Sequence, residues 1–432
     1  MKVAFQTLGC RVNLYDSEAM IEMFKNDGYE LVDFNEPADV YVINTCTVTS
    51  MGDKKSRQYI SRAKRTNEDA VVAVVGCYSQ VSKEDVMQIP GVDVILGSRN
   101  KSDIVFHVNR SRAERKQIVE VNDKLILDSK FEDLGVTGYE GKTRAFLKIQ
   151  DGCNRFCSYC IIPYARGGLS SKNPDSVLKE IRKLSEEGFS EVILSGIHIA
   201  SYGHDLPQKT DLLDLLEEIE SIKGIKRVRI GSIDPMFFKN GRMDRIVKLK
   251  KLCPHFHLSL QSGSLDTLKR MNRRYTPEDF TEVVEDIRNK LDGASITTDV
   301  IVGFPGESEE EFNETYSFLD IIKLNKVHTF KYSPRSGTPA YSMKDQIGGI
   351  EKERRSKLIM AQSDHNEDAF LESYAGKICE VLFEEGKDGI YMGYTVNYMK
   401  VKVYSDQNMQ GKYAKTKIMK VENQMLMGEI VE

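Results

Sequence analysis

The sequence predicts an α/β protein in three parts: a small domain built on a parallel sheet, a partial barrel of six strand–helix units, and a small antiparallel β-barrel. Three observations support this fold class. Apolar runs rich in β-branched residues alternate with helical patterns over residues 1 to about 110, which is typical of a parallel sheet. The same unit recurs six times in the middle of the chain. From about residue 370, short strand-like segments follow one another with only turns between them.

The first part, residues 1–115, is interpreted as a βα domain. Its strands are predicted at 2–8, 39–44, 71–76 and 92–96, with helices that include Tyr15–Asp27 and Met51–Arg65. The charged segment RSRAERKQ at 110–117 predicts the start of a linker that extends to about residue 140.

Three cysteines follow strands of this first domain. Cys10 follows VAFQTLG, Cys46 follows VYVINT, and Cys77 follows VVAVVG. The carboxyl ends of parallel strands face one common crevice, where ligands bind. We therefore expect the three thiols to hold an iron–sulfur cluster with one iron free of protein ligands. Taken singly, each cysteine would more simply be a buried core thiol, and Cys253 and Cys379 are interpreted in that way.

The central part, residues 140–368, is predicted to form the partial barrel. Its candidate strands are Arg144–Ile149, Glu191–Ser195, Lys226–Ile230, Phe256–Leu260, Ser295–Val302 and Lys326–Tyr332. Helical patterns separate them, such as those at 175–188 and 277–291. Six βα units are too few for the closed eight-stranded barrel, so we expect an open arc.

One short segment after the first barrel strand, GCNRFCSYC, contains Cys153, Cys157 and Cys160. It lies at the carboxyl face of the barrel, where barrel active sites are built. The C-x3-C-x2-C spacing supplies three thiolates to a four-iron cluster and leaves the fourth iron open. A ferredoxin-type carrier would fill all four positions, and a structural zinc site would normally offer two separate C-x2-C halves. Zinc binding or chance clustering is the alternative interpretation.

Composition limits the possible partners. The chain has 432 residues, 40% of them hydrophobic and 29% charged, which suits a soluble protein of two or three domains. Its net charge of −4 excludes a generally basic protein, so a nucleic acid would have to be bound by local patches. No apolar run approaches the roughly 18 residues of a membrane span, and a strand follows Met1 and Lys2 directly. We therefore expect a cytoplasmic protein with no membrane partner, whose cysteines bind metal rather than form disulfides.

The C-x3-C-x2-C segment, with Tyr159 just before its last cysteine, resembles the signature of the radical S-adenosylmethionine (SAM) enzymes. This resemblance implies the partial (βα)6 barrel. It also implies that Cys153, Cys157 and Cys160 hold a catalytic [4Fe-4S] cluster whose open iron binds SAM. In these enzymes the reduced cluster cleaves SAM to release a 5′-deoxyadenosyl radical.

The resemblance extends over the whole chain. The segments TLGCRVNLYDSEAM and FLKIQDGCNRFCSYCIIPYARG, together with a tail at 370–432 that resembles the RNA-binding TRAM domain, are similar to those of the radical SAM methylthiotransferases. The first two segments look most like the branch that places a methylthio group on C2 of N6-threonylcarbamoyladenosine at position 37 of tRNA. This implies two [4Fe-4S] clusters and SAM as cofactors and tRNA as a partner. An electron donor and a sulfur source are also implied, although the sequence identifies neither, and it leaves the oligomeric state open.

Other functions remain as alternatives. The branch that acts on isopentenyladenosine in tRNA usually reads YGCQMN at the first cysteine, and the branch that acts on a ribosomal-protein aspartate reads closer to LGCxKN. An iron–sulfur RNA-binding protein without catalysis belongs to a different class. The open iron of the C-x3-C-x2-C cluster counts against that class, because an open metal position is where chemistry takes place.

SAM contacts are expected near the carboxyl ends of the barrel strands. The candidates are Tyr159, Gly196, Ser232, Gln261 and Asp299. Gly196 would let the backbone approach the methionine moiety closely, and Ser232 would hydrogen-bond the ribose or the carboxylate. For every candidate except Tyr159, a purely structural role is an equal alternative.

RNA binding needs positive charge, which the sequence concentrates at 53–65 and 269–274. The predicted RNA-contacting residues are Lys54, Lys55, Arg57, Arg62, Lys64, Arg65, Arg273 and Arg274, with Lys400 and Lys402 in the tail. The alternative is a solvated surface with no ligand.

Overall fold

The computed structural model describes residues 1–127, 130–136, 138–139 and 142–431. Within these ranges the chain forms the three predicted parts, and their arrangement places both cysteine groups at the carboxyl ends of parallel strands. The described ranges contain no helix that is long and apolar enough to cross a membrane.

The amino-terminal part is a parallel sheet covered by helices. Its strands are β1 (Lys2–Thr7), β2 (Glu30–Val32), β3 (Val40–Thr45), β4 (Val71–Gly76), β5 (Val94–Leu96) and β6 (Ile118–Glu120). Its helices are α1 (Arg11–Asn26), α2 (Ser50–Thr66), α3 (Cys77–Val81), α4 (Lys83–Met87) and α5 (Ile104–Glu114). The strand order is β2-β1-β3-β4-β5-β6, and every neighbouring pair is parallel.

Both faces of this sheet are buried. Val42 of β3 belongs to a core that includes Phe24 of α1, whereas the adjacent Ile43 belongs to a second core with Ile60 of α2. Burial on two faces explains why the runs VYVINT and VVAVVG are almost wholly apolar rather than alternating.

Two strands of this sheet escaped prediction. β2 and β6 each have three residues, which is too short for a periodic pattern to be detected. The charged segment 110–117 also differs from the expected linker. Its first five residues complete α5, and β6 then joins the sheet beside β5.

The central part is an open arc of parallel strands. They are β7 (Ala145–Lys148), β10 (Glu191–Ser195), β11 (Arg227–Ile230), β12 (His255–Gln261), β13 (Ser295–Val302) and β14 (Lys326–Lys331), while β8 (Gln150–Asp151) and β9 (Ser170–Ser171) form a short antiparallel pair beside them. The arc consists of two sheets, β11-β10-β7 and β12-β13-β14. Isolated parallel bridges, Val228–Leu252 and Ile233–Leu258, connect them. The predicted partial (βα)6 barrel is confirmed.

Helices accompany the strands of this arc. They are α6 (Ile162–Arg166), α7 (Pro174–Glu186), α8 (Leu212–Ile219), α9 (Met243–Ile246), α10 (Leu265–Arg270), α11 (Pro277–Lys290), α12 (Glu309–Ile322) and α13 (Gly349–Glu372). Short 3-10 turns lie at Lys101–Asp103, Leu125–Leu127, Ile199–Ser201, Pro235–Phe238 and Pro339–Tyr341. Local sequence fixes several helix starts. Thr276 and Asp279, for example, form a reciprocal capping box at the start of α11, which satisfies two otherwise unpaired backbone donors.

The carboxyl-terminal part is a closed barrel. Its strands are β15 (Ile378–Lys387), β16 (Ile390–Thr395), β17 (Lys400–Tyr404), β18 (Tyr413–Glu422) and β19 (Met425–Ile430), in the order β15-β16-β17-β19-β18. The predicted small barrel is confirmed, with one difference from a purely antiparallel arrangement. β17 pairs with β19 in parallel, while the other neighbouring pairs are antiparallel.

This small barrel is attached to the amino ends of the central strands. Arg229 of β11 donates to the carbonyl oxygens of Thr395 and Val396, both at 2.8 Å, and to Glu191 of β10 at 2.6 Å. The ring of Tyr398 lies 4.8 Å from that of His255 at the start of β12. The carboxyl ends of the central strands are therefore left free for a site.

Candidate functional site

The three amino-terminal cysteines lie at one edge of the first sheet. Cys10 is the residue before α1, Cys46 directly follows β3, and Cys77 directly follows β4. The strands concerned, β1, β3 and β4, are neighbours in the sheet. Gly9 shows how closely the loops approach, because a Cβ added there would lie 2.8 Å from Cβ and 3.0 Å from Sγ of Cys46. The structure thus brings together Cys10, Cys46 and Cys77, which we call the auxiliary triad, and the cluster they are predicted to hold is called the auxiliary cluster.

Asn13, in the first turn of α1, fastens these loops. Its amide nitrogen donates to the carbonyl oxygens of Leu8 at 2.6 Å and Thr45 at 2.9 Å, which precede Cys10 and Cys46. The Asn44 side chain in turn donates to the Asn13 carbonyl at 2.9 Å. Two of the three cysteine loops therefore depend on one buried amide.

The second triad lies in the loop that follows β7 and β8. The Cys153 N–H donates to the Gly167 carbonyl at 3.1 Å, and the Ser158 N–H donates to the Met271 carbonyl at 3.1 Å. Gly152 has φ +68°, and a Cβ there would overlap the Gly168 carbonyl oxygen. Because the loop is anchored on both sides, its three thiols occupy fixed positions at the carboxyl face of the arc.

All eight cysteines are free thiols. Burial raises the pKa of Cys46 to about 11 and that of Cys160 to about 12. Iron binds thiolates, so loading of the clusters must displace these protons. Backbone donors assist the ionised form at Cys153, whose Sγ accepts from the Arg155 N–H at 3.4 Å.

The donor set fits iron–sulfur clusters. Among the described residues, no three His, Cys, Asp or Glu side chains meet closely enough to hold a single metal ion. In a four-iron cluster each thiolate binds a different iron, so its ligands need not converge on one point. Each triad consists of cysteines alone, the ligand type that such clusters use, and each would leave one iron open.

A buried ionic network lies between the two triads. Arg166 of α6 donates from Nη1 to Asp16 at 3.1 Å and to Asp151 at 3.2 Å, and from Nε to Sγ of Cys77 at 3.2 Å. Lys148 of β7 lies 2.6 Å from Asp16. Burial alone would raise the pKa of Asp151, but the positive charges of Arg166 and Lys148 lower it to about 2. The carboxylates therefore stay ionised and hold the first sheet to the central arc.

These network residues were missed by sequence reasoning. Asn13 lies within TLGCRVN and Arg166 within IIPYARG, the two segments that carried the family resemblance. The available signal was a polar residue within a few positions of a cysteine in the same segment. It did not identify the contact, because Asn13 and Arg166 are far apart in the chain and meet only in the fold.

The predicted SAM-contacting residues occupy varied positions. Tyr159 packs edge-on against Phe304 with ring centroids 6.5 Å apart. Ser232 is exposed just after β11, and Gln261 ends β12 with φ +75°. Asp299 lies within β13, with a carboxylate oxygen 3.2 Å from Nε2 of His257. These positions are near the predicted site, and their contacts with SAM stay a prediction.

Gly196 directly follows β10 and lies against Gln150. A Cβ at this position would be 2.9 Å from Oε1 and 3.0 Å from Cβ of Gln150. The Gln150 side chain accepts from the His198 N–H at 2.6 Å and donates to the Gly152 carbonyl at 2.8 Å. The missing side chain of Gly196 therefore admits a residue that ties the loop after β10 to the Cys153 loop.

The predicted RNA-contacting residues divide into two groups. Those with side chains open to solvent are Lys54, Lys55, Arg57, Arg62, Arg65 and Arg274. Lys64 is engaged by Asp93 at 3.2 Å, and Lys400 and Lys402 on β17 are half-buried. Arg273 points inward and donates to Sγ of Cys157 at 3.4 Å. Its guanidinium therefore faces the second triad rather than an RNA-binding rim.

A partial (βα)6 barrel with a C-x3-C-x2-C loop, preceded by a sheet domain with a second cysteine triad, defines a radical SAM protein with an auxiliary cluster domain. Residues 147–319 match the Radical SAM superfamily, and residues 2–97 match a family described as "Uncharacterized protein family UPF0004". The chain is 42% identical to the threonylcarbamoyladenosine tRNA methylthiotransferase MtaB of Bacillus subtilis (strain 168), over 97% of this chain and 94% of the relative. The chain belongs to the radical SAM methylthiotransferase family.

Two further relatives agree with this assignment, and one solved structure shares the fold. MtaB of Aquifex aeolicus (strain VF5) is 39% identical over 93% of this chain and 96% of its own. A tRNA-2-methylthio-N(6)-dimethylallyladenosine synthase of Clostridium botulinum (strain Loch Maree / Type A3) is 35% identical over 98% and 96%. The radical SAM methyltransferase TsrM of Kitasatospora setae, solved with tryptophan and a SAM analogue, has a TM-score of 0.58 at 16% identity over 79% of this chain and 75% of that one. The last likeness shows the shared fold.

Proposed function

We propose that this chain methylthiolates C2 of N6-threonylcarbamoyladenosine at position 37 of tRNA, using SAM and two [4Fe-4S] clusters. The observation that carries this proposal is the presence of two cysteine triads, each at the carboxyl ends of parallel strands. Arg166 links the two domains between them, because it donates to Cys77 on one side and to Asp151 on the other. The branch is supported by the MtaB relatives at 42% and 39% identity, against 35% for the dimethylallyladenosine synthase.

The reaction explains why two cofactor positions are needed. Adenine C2–H is unactivated, so an acid or a base cannot replace its hydrogen by sulfur. A reduced cluster with SAM on its open iron supplies a carbon radical. In the overall balance, one SAM gives its methyl group to a sulfide-level sulfur. With the cluster that Cys153, Cys157 and Cys160 would hold, a second SAM would supply the radical that takes the C2 hydrogen, at the cost of one electron and with methionine as the other product. Carbon–sulfur bond formation would return one electron, so a one-electron reductant would only have to start the cycle.

The protein's own residues bind and orient the reactants. Cys153, Cys157 and Cys160 hold the cluster that faces SAM, and Cys10, Cys46 and Cys77 hold the auxiliary cluster. Tyr159, Gly196, Ser232, Gln261 and Asp299 are proposed to surround SAM at the carboxyl face of the arc. Hydrogen bonds of Gln150 and Gly152 fix the loop that begins at Cys153. This limits the movement of the reacting groups.

Exposed side chains suit an RNA loop at this face. Phe156, between Cys153 and Cys157, is 42% exposed, and Tyr164 is 39% exposed, with ring centroids 6.3 Å apart. Unpaired bases stack on aromatic rings of this kind. We propose that these two rings receive a nucleotide next to position 37.

Phosphates are proposed to bind the solvent-exposed basic face of α2. This helix begins four residues after Cys46, so its basic side chains extend from the auxiliary site. Arg274 and the half-buried Lys400 and Lys402 are proposed as further contacts. The sulfur source and the electron donor are proposed as separate partners, and the location that suits a tRNA substrate is the cytoplasm.

The deciding assay uses anaerobically reconstituted protein with SAM, sulfide and dithionite. Three substrates are compared: tRNA with threonylcarbamoyladenosine, tRNA with isopentenyladenosine, and ribosomal protein. Mass spectrometry of the digested products should find the added methylthio group on the first substrate. Modification of only the second or third substrate would overturn the branch, and failure to form 5′-deoxyadenosine would favour a passive RNA-binding protein.

The RNA surface is tested separately. Replacing Lys54, Lys55 and Arg62 with glutamine should weaken tRNA binding. The slope of log K against log salt should fall by roughly 0.7–0.9 for each phosphate that the protein no longer neutralises. The matched control is Lys357→Gln, a lysine on α13 that is 74% exposed. Equal salt dependence in the triple variant and the wild type would remove α2 from the RNA-binding surface.

A further inference from the structure

In the described part of the chain, each cysteine triad has one arginine whose side chain donates a hydrogen bond directly to a ligand sulfur. Arg166 approaches Sγ of Cys77 to 3.2 Å through Nε. Arg273 approaches Sγ of Cys157 to 3.4 Å through Nη1. The two arginines come from different segments, one from α6 and the other from the turn after α10, and the guanidinium of each contacts a cysteine of only one triad.

Both guanidinium groups are held in place by other acceptors. The remaining donors of Arg166 reach Asp16, Asp151 and the Asn13 side-chain oxygen, and its side chain has no exposed surface. Arg273 donates from Nε to the Tyr275 hydroxyl at 2.9 Å. Its Nη2 donates to the Ser259 carbonyl at 3.0 Å. Arg166 is fully buried and Arg273 is partly buried, and a fixed cation shielded from water acts more strongly on a neighbouring charge than a solvated one.

We propose that Arg166 and Arg273 are positioning residues that separately set the reduction potentials of the auxiliary cluster and the SAM-binding cluster. Reduction adds one negative charge to a cluster. A fixed positive charge and a hydrogen bond at a ligand sulfur favour that reduced form and raise the potential. The inference rests on the two clusters of the proposed function and does not depend on which nucleoside is the substrate.

Separate control matters because the two clusters have opposite tasks in the electron balance. Opening SAM consumes one electron, whereas formation of the carbon–sulfur bond releases one. A single reduction potential shared by both clusters would favour one of these events at the expense of the other. With a separate arginine side chain at each triad, the two potentials can differ. The triads are nevertheless close, because Arg166 contacts Cys77 and the adjacent Gly167 accepts from the Cys153 N–H.

The two effects should differ in size. The charge of Arg166 is divided among two carboxylates as well as Cys77. Over the described part of the chain, the hydrogen-bond partners of the Arg273 side chain besides Cys157 are the uncharged Tyr275 and Ser259, and a single carboxylate, that of Asp234, acts on it electrostatically. We therefore expect the substitution of Arg273 to cause the larger shift.

The test is an EPR-monitored redox titration of the reconstituted full chain. Variants with Cys153, Cys157 and Cys160 replaced by alanine, or with Cys10, Cys46 and Cys77 replaced, assign the two signals. Arg166→Gln should lower the midpoint of the auxiliary cluster only. Arg273→Gln should lower that of the SAM-binding cluster only, by about tenfold in the reduction equilibrium, which is about 59 mV for a one-electron couple.

The control for loss of a buried cation is Arg99→Gln. Arg99 is buried and donates to the Arg166 carbonyl at 3.3 Å and to the Ser170 hydroxyl at 3.0 Å, so it touches the same network without contacting sulfur. Its auxiliary midpoint should shift less than that of Arg166→Gln. Equal shifts in these two variants, or a shift of both clusters in either Arg166→Gln or Arg273→Gln, would overturn the proposal.

A conservative variant keeps the test valid if Arg166→Gln fails to fold. If Arg166→Gln does not load the auxiliary cluster, Arg166→Lys decides, because it keeps the buried charge and removes the Nε donor that faces Cys77. A lowered auxiliary midpoint with an altered EPR line shape in Arg166→Lys supports the proposal. An unchanged midpoint and line shape reject it.

Discussion

Replacing Gly9 with alanine should remove the auxiliary cluster and leave the SAM-binding cluster in place. Gly9 has φ +98°, and the new Cβ would lie 2.8 Å from Cβ and 3.0 Å from Sγ of Cys46. Distances below about 3.0 Å require a shift of the neighbour. The group that must move is a proposed iron ligand, so the change acts on the triad itself.

The expected loss of cluster affinity in Gly9→Ala follows from two energetic costs. A side chain in this left-handed region costs about 1–2 kcal/mol, and insertion of a methyl group into a packed site adds about 1–3 kcal/mol. Their sum, about 2–5 kcal/mol, corresponds to a cluster retained about 30-fold to several thousand-fold more weakly, since every 1.4 kcal/mol is a factor of ten.

The assay is iron analysis with EPR after anaerobic reconstitution. Wild type should hold about eight irons in two four-iron clusters, and Gly9→Ala about four. Gly28→Ala is the matched control, because Gly28 has φ +83° but no atom within 4 Å of the added Cβ. It should keep all the iron. Full iron content with an unaltered auxiliary signal in Gly9→Ala would refute the reasoning, and so would equal iron loss in both variants.

Three further outcomes are expected. Gly152→Ala should remove the SAM-binding cluster and abolish formation of 5′-deoxyadenosine. Gly135→Ala, at a glycine with a similar φ of +64° and open space around it, should do neither. Equal SAM cleavage in the two variants would contradict this. Burial and then the charge of Arg229 lower the pKa of His255 to about 3. The folded protein therefore loses stability as pH falls from about 6.5 towards 3, by about 1.4 kcal/mol per pH unit. The difference between the melting temperatures at pH 7.5 and 5.5 should be smaller in His255→Gln than in the wild type. Phe156→Ala should weaken tRNA binding by about 1–3 kcal/mol, while Phe106→Ala, whose ring is 64% exposed on α5, should bind like wild type in the same titration.

The sequence predicts the elements that generate the site because their signals are local. An apolar run that ends in a cysteine defines both the strand and the position of the thiol, and this holds for Cys10, Cys46 and Cys77. The C-x3-C-x2-C segment likewise contains its whole ligand set. The short strands β2 and β6 lack such a signal, since three residues carry no measurable period.

Side-chain direction could not be predicted in the same way. Arg273 belongs to a basic run, but the turn after α10 directs its guanidinium towards Cys157. Lys64 belongs to another basic run, yet it lies against Asp93 at the edge of β5. In both cases the partner is distant in sequence, so charge pattern alone could not separate a contact within the protein from an RNA-binding surface.

The attachment of the last barrel determines how its RNA role can be tested. Glu191 at the amino end of β10 and Arg229 within β11 form a buried pair, and Arg229 also donates to the carbonyls of Thr395 and Val396. The site lies at the carboxyl end of β10, about 13 Å from Glu191 at about 3.3 Å per residue, so bound tRNA would have to extend along the arc. Deleting residues 370–432 would remove the carbonyl acceptors of Arg229 at Thr395 and Val396 and would expose the buried Arg229–Glu191 pair to water. Truncation would therefore disturb the catalytic arc as well as any RNA contact, and the RNA role of the barrel has to be measured with surface changes such as Lys400→Gln, which leave that attachment intact.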